Sequence, residues 1–109
     1  MAPILVFMTT GSRREAQRIA QALLEKHLIA CANIYGPIES HFWWQGKIEK
    51  AKEFLVLMKS HRNLFSMLSE TVKKMHGHDV PEILGVSIVE GFQPYLEWLD
   101  SILGTSGES

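Results

Sequence analysis

Apolar residues recur along this chain with two different periods, and the alternation predicts its elements in order. Residues 4–8, Ile-Leu-Val-Phe-Met, form a continuous apolar run of the length expected for a central strand covered on both faces. Thr9-Thr10-Gly11 breaks the run. Ser12-Arg-Arg-Glu15 then has the spacing of a capping box, in which a hydroxyl and a carboxylate satisfy the first free amides of a helix. Behind it, Ala16, Ile19, Ala20, Leu23 and Leu24 form one stripe, with Arg14, Glu15, Arg18 and Glu25 off it, as in a helix lying on a sheet. Lys26 and His27 suit the end of that helix, where the backbone dipole favours cations. Residues 29–35 read as a second strand with small side chains. Gly36-Pro37 interrupts it, because proline cannot donate to a ladder and implies a bend, bulge or edge.

The longest pattern covers residues 39–59 and reads as a β-hairpin. Phe42-Trp43-Trp44 has strong strand preference. Gln45-Gly46 supplies a residue that accepts positive φ at a tight turn. The return arm closes with Phe54-Leu-Val-Leu-Met58, an apolar run typical of a strand buried on both faces. The arms extend from residue 30 to residue 59, and at roughly 3.3 Å per residue such a ribbon overshoots the core of a small domain. Phe42, Trp43 and Trp44 then lie beyond the reach of the chain's own core. Exposed aromatic clusters mark interfaces, so these three residues predict an oligomer built around the hairpin. Trp43 and Trp44 point to opposite faces, since strand side chains alternate.

A second helix is expected from Ser60, with Leu64, Leu68, Val72 and Met75 on one face and Gly77 as its stop. Residues 79–82 connect it to a fourth strand over residues 83–90. Pro94, placed for a first helical turn, opens a last helix with Tyr95, Leu96, Leu99, Ile102 and Leu103 as its apolar residues. Residues 1–104 make one domain, and residues 105–109, small and polar, a flexible tail. The order is βαββαβ plus a C-terminal helix, an α+β, ferredoxin-like arrangement with a long protruding β-hairpin. Two helices cover one sheet face; the last helix, the hairpin or another subunit must cover the other.

Composition adds exclusions. With 109 residues and a net charge of −1, the chain has no basic excess for nucleic acid. No stretch approaches the roughly 18 apolar residues of a membrane span, and the N-terminus lacks the charged n-region of a signal peptide. The single cysteine, Cys31, has no intrachain partner, so the expected compartment is the reducing cytoplasm, a removed targeting leader being the alternative. In its strand setting, Cys31 reads as a small buried hydrophobe. His27, His41 and His61 read as surface or interface residues.

Four segments in order resemble the CutA family of divalent-cation tolerance proteins. They are Leu28-Ile-Ala-Cys-Ala-Asn-Ile34, Ser40-His-Phe-Trp-Trp-Gln-Gly-Lys-Ile48, His76 with Val80-Pro-Glu-Ile83, and Pro94-Tyr-Leu-Glu-Trp-Leu99. The resemblance implies a ferredoxin-like fold, a tight homotrimer whose hairpins pair sheets across subunits, and a link to tolerance of copper and other divalent cations. It also implies metal ligands, which map here with substitutions. The family's cysteine position is Met8, its histidine pair is Met75 and His76, and His76-Gly77-His78 replaces His-Pro-Tyr. Met8, Met75, His76 and His78 are therefore the candidate metal ligands; thioether sulfur favours Cu(I). The alternative is that the two methionines fill the core and that the histidines complement a helix end.

No catalytic constellation is present: the chain lacks a Gly-x-Ser-x-Gly elbow, a His-Glu-x-x-His helix and a phosphate-binding Gly-x-x-x-x-Gly-Lys loop. Thr9-Thr10-Gly11 before a helix can hold a small anion, or can simply turn the chain. The expected role is binding or scaffolding, not catalysis. Two rivals to cation tolerance are a signalling trimer like the PII proteins and a stable trimeric scaffold for a partner protein. The aromatic, tightly turned hairpin disfavours the first.

Overall fold

The computed structural model describes residues 2–103; the tail expected at 105–109 lies outside the described residues. Its elements are β1 (Pro3–Thr10), α1 (Arg13–Glu25), β2 (Cys31–Trp44), β3 (Lys47–His61), α2 (Phe65–Met75), β4 (Ile83–Ser87) and α3 (Gln93–Ile102). The four strands form one antiparallel sheet in the order β2-β3-β1-β4. β1 and β2, joined by α1, are separated by β3, which is the split βαβ signature of the ferredoxin-like fold.

Side-chain alternation divides this sheet sharply. Ile4, Val6 and Met8 of β1 and Val56 and Met58 of β3 point into a core shared with Ile19 and Leu23 of α1 and Leu68 and Val72 of α2. The C-terminal helix joins the same side, since Leu99 and Leu103 are buried in that core. Two further contacts pin it there: His27 Nδ1 lies 2.8 Å from the Ile102 carbonyl, and His61 Nε2 lies 2.8 Å from Asp100 Oδ1. Leu84 and Val86, on the second face of the sheet, stay about half exposed.

Both ends of α1 are closed by identifiable bonds. Ser12 Oγ accepts from the Glu15 amide, as the capping box requires, but the Glu15 carboxylate reaches past it to the Gly11 amide. At the other end, His27 takes φ 58°, Leu28 N–H bonds to the Leu23 carbonyl and His27 N–H to the Leu24 carbonyl, a Schellman closure made without glycine.

Several elements differ from expectation for identifiable reasons. At Gly36-Pro37 the bulge among the expected alternatives is the one found, and β2 runs through it. α2 starts at Phe65, after a 3₁₀ turn at Arg62–Leu64, because β3 continues to His61 opposite Pro3 and Ser60 donates to the Leu28 carbonyl. α2 ends at Met75 with His76 as its extended C-cap, so Gly77 follows directly after the cap, as a stop glycine does, but without a positive φ. β4 ends at Ser87, not at residue 90, since Ile88 N–H takes the Pro3 carbonyl and β1 then has no more residues to pair. His61 is fully buried, not a surface residue, because it closes β3 beneath α3. Cys31 is only partly buried: it lies on the edge strand, 3.7 Å from Lys59 Nζ.

The hairpin is as long as the sequence predicts. Its register is continuous from Ile38↔Glu53 to Trp44↔Lys47, and its turn places both Gln45 (φ 49°) and Gly46 (φ 80°) in the left-handed region, as a type I′ turn demands. The described chain is elongated, 45 Å against 27 and 22 Å.

Candidate functional site

Two regions carry the candidate residues. The first lies where β1 ends, α1 begins and α2 stops. Its centre is His76, whose imidazole is buried between these elements. His76 Nε2 is 2.7 Å from the Thr9 carbonyl, and the His78 backbone amide is 3.0 Å from His76 Nδ1. A carbonyl only accepts and an amide only donates, so Nε2 carries the proton and Nδ1 presents the lone pair. Both ring nitrogens therefore have protein partners.

Glu15 braces the same corner. One carboxylate oxygen accepts from the Gly11 amide at 3.2 Å, and the other accepts from the Gly77 amide at 2.6 Å. His76 Nδ1 is 3.9 Å from that second oxygen. Burial pushes the Glu15 carboxyl up, but the Gly77 and Gly11 amides and the His76 and His78 imidazoles outweigh it, and the group titrates below the usual carboxylate range. The sequence pattern made Glu15 a local cap; its bond to Gly77, 62 residues away, had no local signal.

The candidate ligands fall unevenly around this corner. Met8 is a fully buried core residue on β1, paired with Val56 and Ile83. Met75 is partly buried against the same core, and its carbonyl faces Arg18 Nη2 at 3.5 Å. His78 is exposed and tilts against His76, ring centroids 5.0 Å apart. A metal at His76 has to displace the His78 amide from its lone pair or the Thr9 carbonyl from its proton. Among the described residues no three His, Cys, Asp or Glu side chains are grouped to hold a metal ion. The residues present do not make a ready-made metal centre.

The second region is the sheet face opposite the helices. Leu5 and Phe7 of β1, Leu55 and Leu57 of β3 and Leu84 and Val86 of β4 share it, because they alternate with the core residues. Leu84 and Val86 are 56% and 49% exposed, and Tyr35 of β2, opposite Leu55, is 50% exposed. β3 carries this face on to the hairpin without interruption, through Glu53, Ala51, Glu49 and Lys47. Their partners are Ile38, Ser40, Phe42 and Trp44, so Phe42 and Trp44 extend the apolar face, whereas Trp43 points to the other side beside Ile48. Trp43 and Trp44 are 73% and 59% exposed.

With this architecture in view, similarity to known proteins becomes decisive. Residues 4–102 match the family described as CutA1 divalent ion tolerance protein. The chain belongs to the CutA family. A divalent-cation tolerance protein CutA of Archaeoglobus fulgidus is 44% identical over 87% of this chain and 92% of its own length. A chloroplastic CutA 1 of Oryza sativa is 38% identical over 88% of this chain, which spans only 54% of that relative. Among solved structures, a CutA1 from Thermus thermophilus superposes with a TM-score of 0.92 at 39% identity, covering 94% of this chain and 99% of the other. CutA1 from Oryza sativa gives 0.94 at 36% identity, covering 100% and 97%. The CutA fold is therefore the fold of this chain. CutA proteins are named for divalent-cation tolerance and not for a known enzymatic reaction. They are also named for different compartments: one is chloroplastic, and a structure from Archaeoglobus fulgidus is described as periplasmic. Among the described residues no helix is long and apolar enough to cross a membrane.

Proposed function

We propose that this CutA chain works as a homotrimer, without catalysis, in tolerance of divalent cations, copper among them. The observation that carries the reading is the apolar sheet face that stays partly exposed and is continued by Phe42 and Trp44 along the hairpin. A face of this kind is covered by protein in a stable fold, and a second and third copy supply the same surface in a closed ring. The number three is what membership of the family implies. Among the described residues the outer edges of β2 and β4 pair with no strand, and assembly offers both of them partners.

Cation contact is proposed at the Met75, His76 and His78 corner, with Met8 behind it. Because both His76 nitrogens are already engaged, uptake competes with existing bonds and is correspondingly weak. A scaffold role for a partner protein is the second reading, favoured by that same saturation of His76. The cytoplasm is the proposed compartment, consistent with Cys31 as a free thiol.

Native mass spectrometry with and without Cu(I), under anaerobic reducing conditions, tests both parts. The expected species is three chains of 12.4 kDa each, about 37 kDa. Copper uptake that is lost in His76→Ala supports the corner as the contact site. A single-chain mass overturns the assembly. A three-chain mass that takes up no copper removes the cation contact and leaves the scaffold.

A further inference from the structure

The hairpin departs from the body of the subunit at one irregular step. Tyr35 pairs with Leu55 and Ile38 pairs with Glu53, so Gly36 and Pro37 of β2 pass a single residue of β3, Phe54. Bulges bend a strand pair and raise its twist, so this step sets the direction in which the outer ribbon points.

Three elements converge on it. Gly36 has φ 151°, and a Cβ there would sit 2.5 Å from Phe54 Cδ2, so the phenyl ring occupies the space that any side chain would need. Phe54 is itself packed against the core, which fixes the ring from below. From above, Arg13 at the start of α1 lays its guanidinium over the ring, 4.9 Å from the centroid, and donates from Nη2 to the Gly36 carbonyl at 3.0 Å. A planar cation can do both at once: one face stacks on the aromatic while an edge donates. The sequence marked Gly36-Pro37 as an interruption but gave no reason to connect it with the first helical residue.

We propose that Arg13, Phe54 and Gly36 form a joint that holds the hairpin at a fixed angle to the sheet, and that this angle governs assembly of copies. The second half rests on the trimer reading above. Ile38 to Trp44 spans about 20 Å at roughly 3.3 Å per residue, so a rotation of about 15° at the base displaces Trp44 by about 5 Å, the width of a side chain. Arg13 is thus a positioning residue for a surface it does not itself form.

The direct test is the distance distribution between spin labels at Gln45→Cys, in the hairpin turn, and Glu70→Cys, on α2. It is measured by electron double resonance in a Cys31→Ser chain diluted with unlabelled chain. The parent should give a narrow distribution. Arg13→Ala and Gly36→Ala should broaden or shift it, with Arg13→Lys in between because an ammonium keeps the charge but lacks the planar fork that lies flat on the ring while donating sideways. Native mass spectrometry of the same variants, without labels, should show the assembly weakened about tenfold in Arg13→Ala, equivalent to ~1.4 kcal/mol.

Arg13 is exposed and its truncation adds no atoms, so it carries the test even where Gly36→Ala fails to fold. An unchanged distribution in Arg13→Ala overturns the joint. A changed distribution with parent-like assembly overturns its control of assembly. A parent that is a single chain sinks the trimer reading instead, and leaves the distance measurement to decide the joint.

Discussion

The two faces of this sheet are built from the same kinds of residue and meet different fates. On one face Val6, Met8, Val56 and Met58 are completely buried beneath the helices. On the other, Phe7, Leu57, Leu84 and Val86 are no less apolar, yet the β4 pair stays about half exposed. Local sequence cannot account for the contrast, because adjacent residues of one strand fall on opposite sides. It teaches that the described residues complete a core on one face and leave apolar side chains partly exposed on the other, where the proposed assembly would cover them. The His76 corner belongs to the first face: its polar groups are satisfied from within the chain.

The largest expected effect tests the covered face. Leu23→Ala removes a fully buried side chain of α1 and should cost about 2–5 kcal/mol, read as a lower midpoint in denaturant melts. If Leu84→Ala on the partly exposed face cost as much in a chain held dissociated by dilution, the distinction between the faces would collapse.

Assembly comes next. Phe42→Ser with Trp44→Ser should yield smaller species in solution, whereas Trp43→Ser alone should leave the mass of the assembly unchanged, because it lies on the opposite side of the ribbon. Equal effects from both would show that ribbon twist, and not strand alternation, selects the buried tryptophan.

Smaller effects sharpen the picture at the α1 entry. Ser12→Ala deletes the oxygen that accepts from the Glu15 amide and should destabilise by about 1 kcal/mol in a thermal or urea melt. Glu15 has a depressed folded-state pKa, so its ionised form contributes stability above the unfolded carboxylate pKa. That contribution is lost as pH falls through the lower, folded value. Glu15→Gln should therefore flatten the acid limb of the stability–pH curve below about pH 4.3. An unchanged acid limb would mean that other carboxylates control acid unfolding.

Much of this was legible from residues alone. The stripe from Ala16 to Leu24 required a helix on a sheet, Ser12 named its cap, and Gln45-Gly46 named the hairpin turn; each signal depends on neighbours within a few positions. What failed depended on distant groups. Ser60 looked like a helix start but is bonded to Leu28, and His61 read as a surface or interface residue but is fully buried beside Asp100 of α3. Of the metal candidates, Met8 and His76 were identifiable by chemical type, but their surroundings were not. A methionine reads the same whether its sulfur faces solvent or core, and a histidine reads the same whether its nitrogens are free or bonded.

The sequence by itself determined the order of the elements, the length of the hairpin and membership of the CutA family. Periodicity, turn chemistry and segment identity are local or linear properties, and they survive without coordinates. Only the tertiary structure decided that α3 packs with the core while the opposite sheet face stays partly exposed, and that His76 has both nitrogens committed. It also decided that Arg13 reaches across to the bulge at Gly36. These outcomes turn on which surfaces meet after the chain closes on itself, and contacts between residues 23 to 67 positions apart leave no periodic trace in the chain.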